Sequence, residues 1–332
     1  MPNDLPDALR SRAESLLEGV SRKDLAQRSA QLSDHYRAGG ASRAVVSSKA
    51  DVTAYLVSRL PATFAAVAAV FDEVRRRSEA FAPRSVLDVG AGPGTASWAA
   101  VEAWPEIETL SMMDSNREFL DIAAELASGS AHAALSNSTR ILGDLTHPDT
   151  QLPAADLVIV GFALAELPEQ QVAAIVSALW NRCGGVLVLV EPGTPAGFAR
   201  IRSARAALIE AGATVLAPCP HAAACPIEAP DWCHFVQRLA RSRDHMIAKS
   251  ATVPFEDEKF SYVAVGRDAL PASAIDARIL APPKVTKAEL RFKLCTAEGI
   301  AEKTIPRRDR QAYARLRKAR WGESLPTKGK PD

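Results

Sequence analysis

The sequence has little that would staple the chain or anchor it in a bilayer. It has five cysteines in 332 residues and 6% aromatic side chains. No apolar run reaches the ~20 residues of a membrane helix, so a membrane-spanning helix is excluded and no membrane partner is expected. The N-terminal stretch sets Asp4, Asp7 and Glu14 among its arginines, unlike a secretory signal or an acid-poor transit peptide. On that ground the chain is expected to be cytoplasmic, where thiols stay reduced and disulfides are not expected. No internal repeat is present. What remains is 47% apolar and 24% charged residues, an ordinary globular composition long enough for one large domain with appendages, or for two.

The net charge of +1 hides an asymmetry. From Lys284 onward the chain holds 14 Lys and Arg against 6 Asp and Glu, about +8, which leaves 26 against 33, about −7, for the remainder. A basic tail on a mildly acidic body suits an anionic partner, RNA being the commonest. A solvated terminal helix would carry the same charge.

Residues 1–80 read as helical. Leu5, Leu9, Leu16, Leu17, Val20 and Leu25 recur at helical spacing, and Ala50 to Arg77 repeats the pattern more strongly, with Pro61 placed to kink or divide it. The polar loop His35-Tyr36-Arg37-Ala38-Gly39-Gly40-Ala41-Ser42-Arg43 is either a substrate or RNA contact or an ordinary connection.

From Ser85 strands alternate with helices. Strands are expected at Ser85–Val89, Ile107–Met113, Thr139–Leu142, Asp156–Val160, Val186–Val190 and Thr214–Leu216, with an antiparallel Lys259–Val265 to close the sheet. Residues 218–257 break the rhythm with prolines, cysteines and basic residues. A hairpin around Glu298-Gly299 and a basic helix at Asp309–Trp321 complete the chain. Continuous apolar strands joined by helices imply a mostly parallel α/β sheet covered on both faces. The expected organisation is a helical region at 1–80, a cofactor domain at 81–270 with a cysteine-rich insertion at 218–257, and a basic extension at 271–332.

The centre of this pattern is Asp88-Val89-Gly90-Ala91-Gly92-Pro93-Gly94-Thr95, three alternating glycines between a strand and a helix. Such a turn brings bare backbone N–H groups against a ligand. Asp114 ends the second strand about 20 residues beyond the glycines, where an acid meets ribose hydroxyls. Asp144 follows the third strand, placed to accept from an adenine amino group. Asp88 would repel a pyrophosphate and suits an ammonium group better. The run resembles the first motif of class I S-adenosylmethionine-dependent methyltransferases. That resemblance implies a Rossmann-like, mostly parallel seven-stranded sheet, with Gly90, Gly92 and Gly94 along the methionine, Asp114 on the ribose, Asp144 at the adenine, and Gly161-Phe162-Ala163 flanking the transfer site. A nicotinamide-dinucleotide enzyme or a non-binding relic of the fold would show a similar turn. The Asn-Pro-Pro-aromatic or Asp-Pro-Pro-aromatic run of amine-directed enzymes is missing after the fourth strand. Glu166 is either a base or a helix-terminus charge, so no catalytic residue is assigned.

Cys183 reads as a buried apolar side chain. Cys219, Cys225 and Cys233 crowd into the irregular insertion, and Cys295 ends a strand far downstream. Four such thiols suit a metal site, with unrelated reduced thiols as the alternative that spacing leaves open. Their wide gaps, with proline after two of them, favour an iron–sulfur cluster over the paired knuckles typical of zinc. His221 and His234 stand nearby. His35–Gly40, the glycine turn, Val190-Glu191-Pro192-Gly193-Thr194-Pro195, Pro218-Cys219-Pro220-His221 and Trp232-Cys233-His234-Phe235 together resemble the Rsm-type ribosomal small-subunit methyltransferase-like family, from about Leu32 to Trp321. Its mitochondrial members assist small-subunit assembly. The resemblance implies a [4Fe–4S] cluster on Cys219, Cys225, Cys233 and Cys295, and binding to small-subunit ribosomal RNA. It would present Arg238, Arg241, Arg243, Arg291, Lys293, Arg307, Arg308 and Arg310 as one basic surface, with Tyr313 and Trp321 stacking on bases or packing their helix. The expected function is S-adenosylmethionine-dependent methyl transfer to small-subunit rRNA. The alternatives are a catalytically silent assembly factor and a small-molecule methyltransferase, which the basic tail argues against. No DNA partner is expected.

Overall fold

The computed structural model describes residues 4–37, 45–128, 130–147, 150–267, 270 and 273–326. The polar loop read from His35 to Arg43 lies outside them from Ala38 onward. Four helices come first: α1 (Asp7–Ser15), α2 (Arg22–Arg37), α3 (Lys49–Ser58) and α4 (Leu60–Arg77). The Ser48 side chain caps α3 by accepting from the Asp51 N–H. Pro61 has no N–H to lose and sits in the first turn of α4. The expected interruption is therefore a 53° bend between α3 and α4. Both helices are apolar because they are buried, α4 against the strand Phe255–Gly266 and the helix Thr95–Ala103, and α3 among α2, α4 and neighbouring helices that cover the sheet. No single helix among the described residues is long and apolar enough to cross a membrane.

The alternating region follows as β1 (Ser85–Val89), α5 (Thr95–Ala103), β2 (Thr109–Asp114), α6 (Arg117–Ala127), α7 (Ala133–Ser136), β3 (Thr139–Leu142), β4 (Ala155–Gly161), α8 (Glu169–Arg182), β5 (Cys183–Pro192), α9 (Pro195–Glu210), β6 (Thr214–Ala217), β7 (Phe235–Ala240), α10 (Arg243–Ala248) and β8 (Phe255–Gly266). The sheet runs β3-β2-β1-β4-β5-β8-β6. The first five of these strands are mutually parallel, and β8 lies antiparallel between β5 and β6. This is the class I methyltransferase order.

Alternate residues of β1 feed opposite faces. Val86 joins the core beneath α3–α6, and Leu87 and Val89 join the core beneath α8 and α9. The sheet has eight strands, not the expected seven. The extra strand, β7, pairs with the first half of β8 from Phe235↔Phe260 to Ala240↔Phe255. It lies inside the insertion, where prolines and cysteines on either side mask six regular residues.

The C-terminal extension adds β9 (Ile275–Ile279), β10 (Lys284–Val285), β11 (Glu289–Thr296), β12 (Gly299–Pro306), α11 (Arg310–Leu316) and β13 (Ser324–Pro326). The expected hairpin is β11 and β12, but it belongs to a five-stranded sheet with β9, β10 and β13. Leu290, Phe292 and Leu294 face a small core shared with Ile305 and Leu316. The helix is shorter than expected. It starts where the Asp309 carboxylate accepts from the Ala312 N–H at 3.1 Å. Arg278 ties this sheet to the rest: it is 1% exposed and donates to the Pro218 carbonyl, the Gly322 carbonyl and the Glu73 carboxylate on α4.

Candidate cofactor cavity and cysteine pocket

The carboxyl ends of β1, β2 and β4 open into a cavity of about 930 Å³, lined by Gly90, Gly92, Asp114, Asp144 and Gly161 among others. This is the crevice position at which open α/β sheets bind ligands. Gly90, Gly92 and Gly94 all have positive φ, at 65°, 54° and 80°. Gly90 also needs its missing side chain, because a Cβ there would collide with that of Ala163. Gly94 does not line the cavity. It packs over Met112 and heads α5.

The three acids have different surroundings. Asp114 accepts from the Gly92 N–H and the Asn116 N–H, each at 2.8 Å, one on each oxygen. With a further contact from the Ser115 N–H, about one of the carboxylate's roughly four acceptor sites is left for a ligand. Burial raises the Asp114 carboxyl above its usual range, against the pull of those N–H groups. Asp144 lines the cavity and accepts from the Thr146 N–H and hydroxyl at 2.9 and 2.7 Å. Asp88 is 1% exposed and is not among the cavity's lining residues. It accepts from the Ser97 N–H and hydroxyl at 2.9 and 2.7 Å, pinning α5 to β1. Burial pushes its carboxyl up to about 6.

Beside the glycine turn Gly161 leads into Phe162, whose φ of 61° is left-handed, a conformation rare for a bulky residue. Its N–H donates to the Val190 carbonyl at 2.7 Å. The Arg59 guanidinium stands 5.7 Å from the Phe162 ring centroid and pairs with Glu258 at 3.1 Å. Arg200 and Lys249 line the same cavity, held by Glu191 at 3.5 Å and Glu256 at 2.6 Å. Glu191 is fully buried, and burial pushes its carboxyl up to about 7 against the pull of Arg200 and of the Ala165 and Leu164 N–H groups. Sequence reasoning missed Arg59, Arg200, Lys249 and Glu258. Arg59 and Glu258 meet across 199 positions, so no local pattern announces them. Glu191 stood in a motif but without a role.

Cys219, Cys225, Cys233 and Cys295 line one second, smaller cavity together with His221. The His221 Nε2 is 3.7 Å from the Cys295 sulfur. Burial, reinforced by the neighbouring thiols, raises Cys219 and Cys233 and pushes Cys295 up to about 12. Among the described residues no three His, Cys, Asp or Glu side chains close around a single metal ion. His234 stacks on Trp232 and meets Trp321 edge-on. Trp232 in turn donates to the Gly193 carbonyl at 3.0 Å, joining this loop to the wall of the larger cavity. Cys183 is buried elsewhere, as expected.

The expected basic surface is only partly free. Arg238 is held bidentately by Asp257 at 2.7 and 2.8 Å, Arg241 by Glu256, Arg291 by Glu289 and Lys293 by Asp231. Arg308, Arg310, Arg315, Arg317 and Lys318, on and around α11, are exposed. Tyr313 and Trp321 pack against cores.

The model of the family described as "Mitochondrial small ribosomal subunit Rsm22" matches residues 49–326. Similar curated proteins include the human mitochondrial ribosome assembly protein METTL17, 30% identical over 286 residues, covering 82% of this chain and 62% of that protein. Two mitochondrial Rsm22-cox11 tandem proteins of Schizosaccharomyces pombe are 24% identical, covering 84% of this chain and 43% of theirs. The chain thus spans less than two thirds of the length of these relatives. Similar solved structures include precorrin-6y C5,15-methyltransferase from Geobacter metallireducens, with 16% identity, 62% of this chain, 89% of that chain and a TM-score of 0.41. Another is the N-methyltransferase NodS from Bradyrhizobium japonicum with S-adenosylhomocysteine, with 14% identity, 64% and 89% coverage and a TM-score of 0.40.

The cytoplasmic expectation is overturned, because all three curated relatives are named as mitochondrial. Its physical basis was also unsound. Asp7 and Glu14 belong to α1, which packs Leu9 into the core, so they report a folded helix and not a compartment. The chain belongs to the Rsm22 family.

Proposed function

We propose that this chain is an S-adenosylmethionine-binding, methyltransferase-like factor of the small ribosomal subunit, carrying a [4Fe–4S] cluster and contacting small-subunit rRNA. The cavity over β1, β2 and β4, with Gly92 and Asp114 hydrogen-bonded on its wall, carries the cofactor reading. Gly90 and Gly92 would line the methionine, Asp114 would accept from the ribose hydroxyls and Asp144 from the adenine amino group, with Gly161 at the methyl end. Asp88 and Gly94 would act from beneath, by fixing the turn and α5. The bound cofactor supplies an electrophilic sulfonium methyl group. The chain's own part is to hold the acceptor in line and keep water away.

The cluster would be held by Cys219, Cys225, Cys233 and Cys295. Four thiols line one cavity without closing around one ion. A [4Fe–4S] cluster takes four such thiolates, whereas structural zinc sites more typically show paired Cys-x-x-Cys knuckles. Cofactor binding is assigned to residues 81–270 and RNA contact to 271–332, where the exposed cations around α11 would meet phosphates with salt-sensitive affinity.

One observation favours the second reading, a catalytically silent assembly factor: β4 runs into Gly161-Phe162-Ala163 with no amine-binding run. Labelled methyl transfer to small subunits from a strain lacking the gene separates the two. Label in the rRNA, lost in Asp114→Ala, is expected for the enzyme. Tight cofactor binding without transfer to any assembly intermediate would establish the silent factor.

A further inference from the structure

The cavity is larger than its cradle. At about 930 Å³ it sits near the top of the range for small-molecule sites, roughly 300–1,000 Å³. The part lined by the glycine turn, Asp114 and Asp144 is termed its inner half. Three half-buried cations, Arg59, Arg200 and Lys249, are among the other lining residues, termed the outer half, together with Glu166 and Glu258.

Each cation has a carboxylate partner, Glu258, Glu191 and Glu256 respectively, and none of these acids belongs to the inner cradle. Each cation spends one donor on that contact among the described residues. A guanidinium carries five N–H donors and an ammonium three, so most remain to be used. Cations fixed by carboxylates at a cavity wall, with donors unspent, suit an anion with several acceptor oxygens. Phe162 adds an aromatic face beside Arg59, in a left-handed backbone held by the Val190 carbonyl. Aromatic faces next to phosphate-binding cations are how unstacked bases are held.

We propose that the outer half of the cavity is a subsite for one extruded nucleotide of an RNA strand, its phosphate on Arg59, Arg200 and Lys249 and its base against Phe162. The proposal rests on the reading of the inner half as the S-adenosylmethionine cradle. It places the extruded nucleotide beside the methyl end of that cradle and separates this contact from the basic surface around α11.

Calorimetry on the full chain saturated with S-adenosylhomocysteine tests it, because the inner half is then filled. Uridine 5′-monophosphate should bind at least about tenfold more tightly than uridine, as charge-assisted hydrogen bonds to phosphate require. Arg200→Ala should erase that difference, Arg200→Lys should restore part of it, and Phe162→Ala should weaken both probes alike. Lys249→Ala repeats the test at a second position, and Arg182→Ala, an exposed arginine elsewhere, should change nothing. A uridine pentanucleotide should displace the monophosphate. Equal binding of the two uridine probes, insensitivity to both cation variants, or failure of the pentanucleotide to compete would overturn the proposal. Failure of the cradle reading shows separately, as absence of S-adenosylhomocysteine binding in the first titration.

Discussion

In β1 alternate residues feed two large cores, whereas in β11 only Leu290, Phe292 and Leu294 feed a core. On the other face of β11, Arg291 and Lys293 are held by Glu289 and Asp231. The cofactor sheet is thus fixed by apolar burial on both sides, and its ligand cavity forms where its strands end. The C-terminal sheet has one small core and is tied to the molecule by buried polar contacts, chiefly those of Arg278. Its cysteine pocket forms where the loop carrying Cys219, Cys225 and Cys233 meets α9, β8, β9 and β11. One region builds a site from regular elements, and the other builds one from long-range polar joints.

The contrast breaks most directly at Arg278. Arg278→Met leaves Glu73 without its buried partner and two carbonyls without donors, so urea unfolding should show a loss of about 3–5 kcal/mol. Hydrogen exchange should place that loss in β9, β11 and the cysteine loop. Equal loss of protection in β1, β4 and β5 would show that the two regions are not held differently.

A smaller effect is expected at Gly90. Gly90→Ala puts a Cβ at φ 65° against Ala163, and should cost about 1–3 kcal/mol. Thermal unfolding should show the loss, and S-adenosylmethionine binding should disappear while the cysteine pocket is untouched.

The smallest effect is a pH dependence. Burial moves Glu191 up from an ordinary value of 4.5 to about 7, so the folded chain holds this proton more tightly than the unfolded one. Its contribution favours folding at low pH and is lost as pH rises between those two values. Asp88 acts in the same direction at slightly lower pH. Glu256 acts oppositely: burial raises it, but hydrogen bonds from His245 and Lys249 outweigh that and hold it far below its usual range. Glu191→Gln should therefore flatten the fall in melting temperature between pH 4.5 and 7, on the order of 2 kcal/mol of stability. An unchanged slope would place the buried proton elsewhere.

The same contrast explains what could be read from the sequence. Strands Ser85–Val89 and Thr139–Leu142 stand at the expected bounds, because periodicity and glycine punctuation are local signals. Phe235–Ala240 and Ile275–Ile279 were missed because their pairing partners, β8 and β11, supply the order that short irregular sequence lacks. Asp114 and Asp144 were found by their position after strands, and the structure brings both to the cavity. Asp88 was given to the ligand by its neighbours in sequence, yet Ser97 takes both of its contacts. Arg59 stands at the bend between α3 and α4, Arg200 on α9 and Lys249 just after α10, and they line one cavity only in the folded chain, so no spacing rule reaches them.

Titration of the purified full chain with S-adenosylmethionine, beside Asp114→Ala, tests the central claim that the cavity is a cofactor site. The account predicts one cofactor bound per wild-type chain and an affinity about a hundredfold weaker without the Asp114 carboxylate, the loss expected for charge-assisted hydrogen bonds to the ribose. A folded wild-type chain that takes up no cofactor, or an Asp114→Ala chain that binds it equally well, would contradict it.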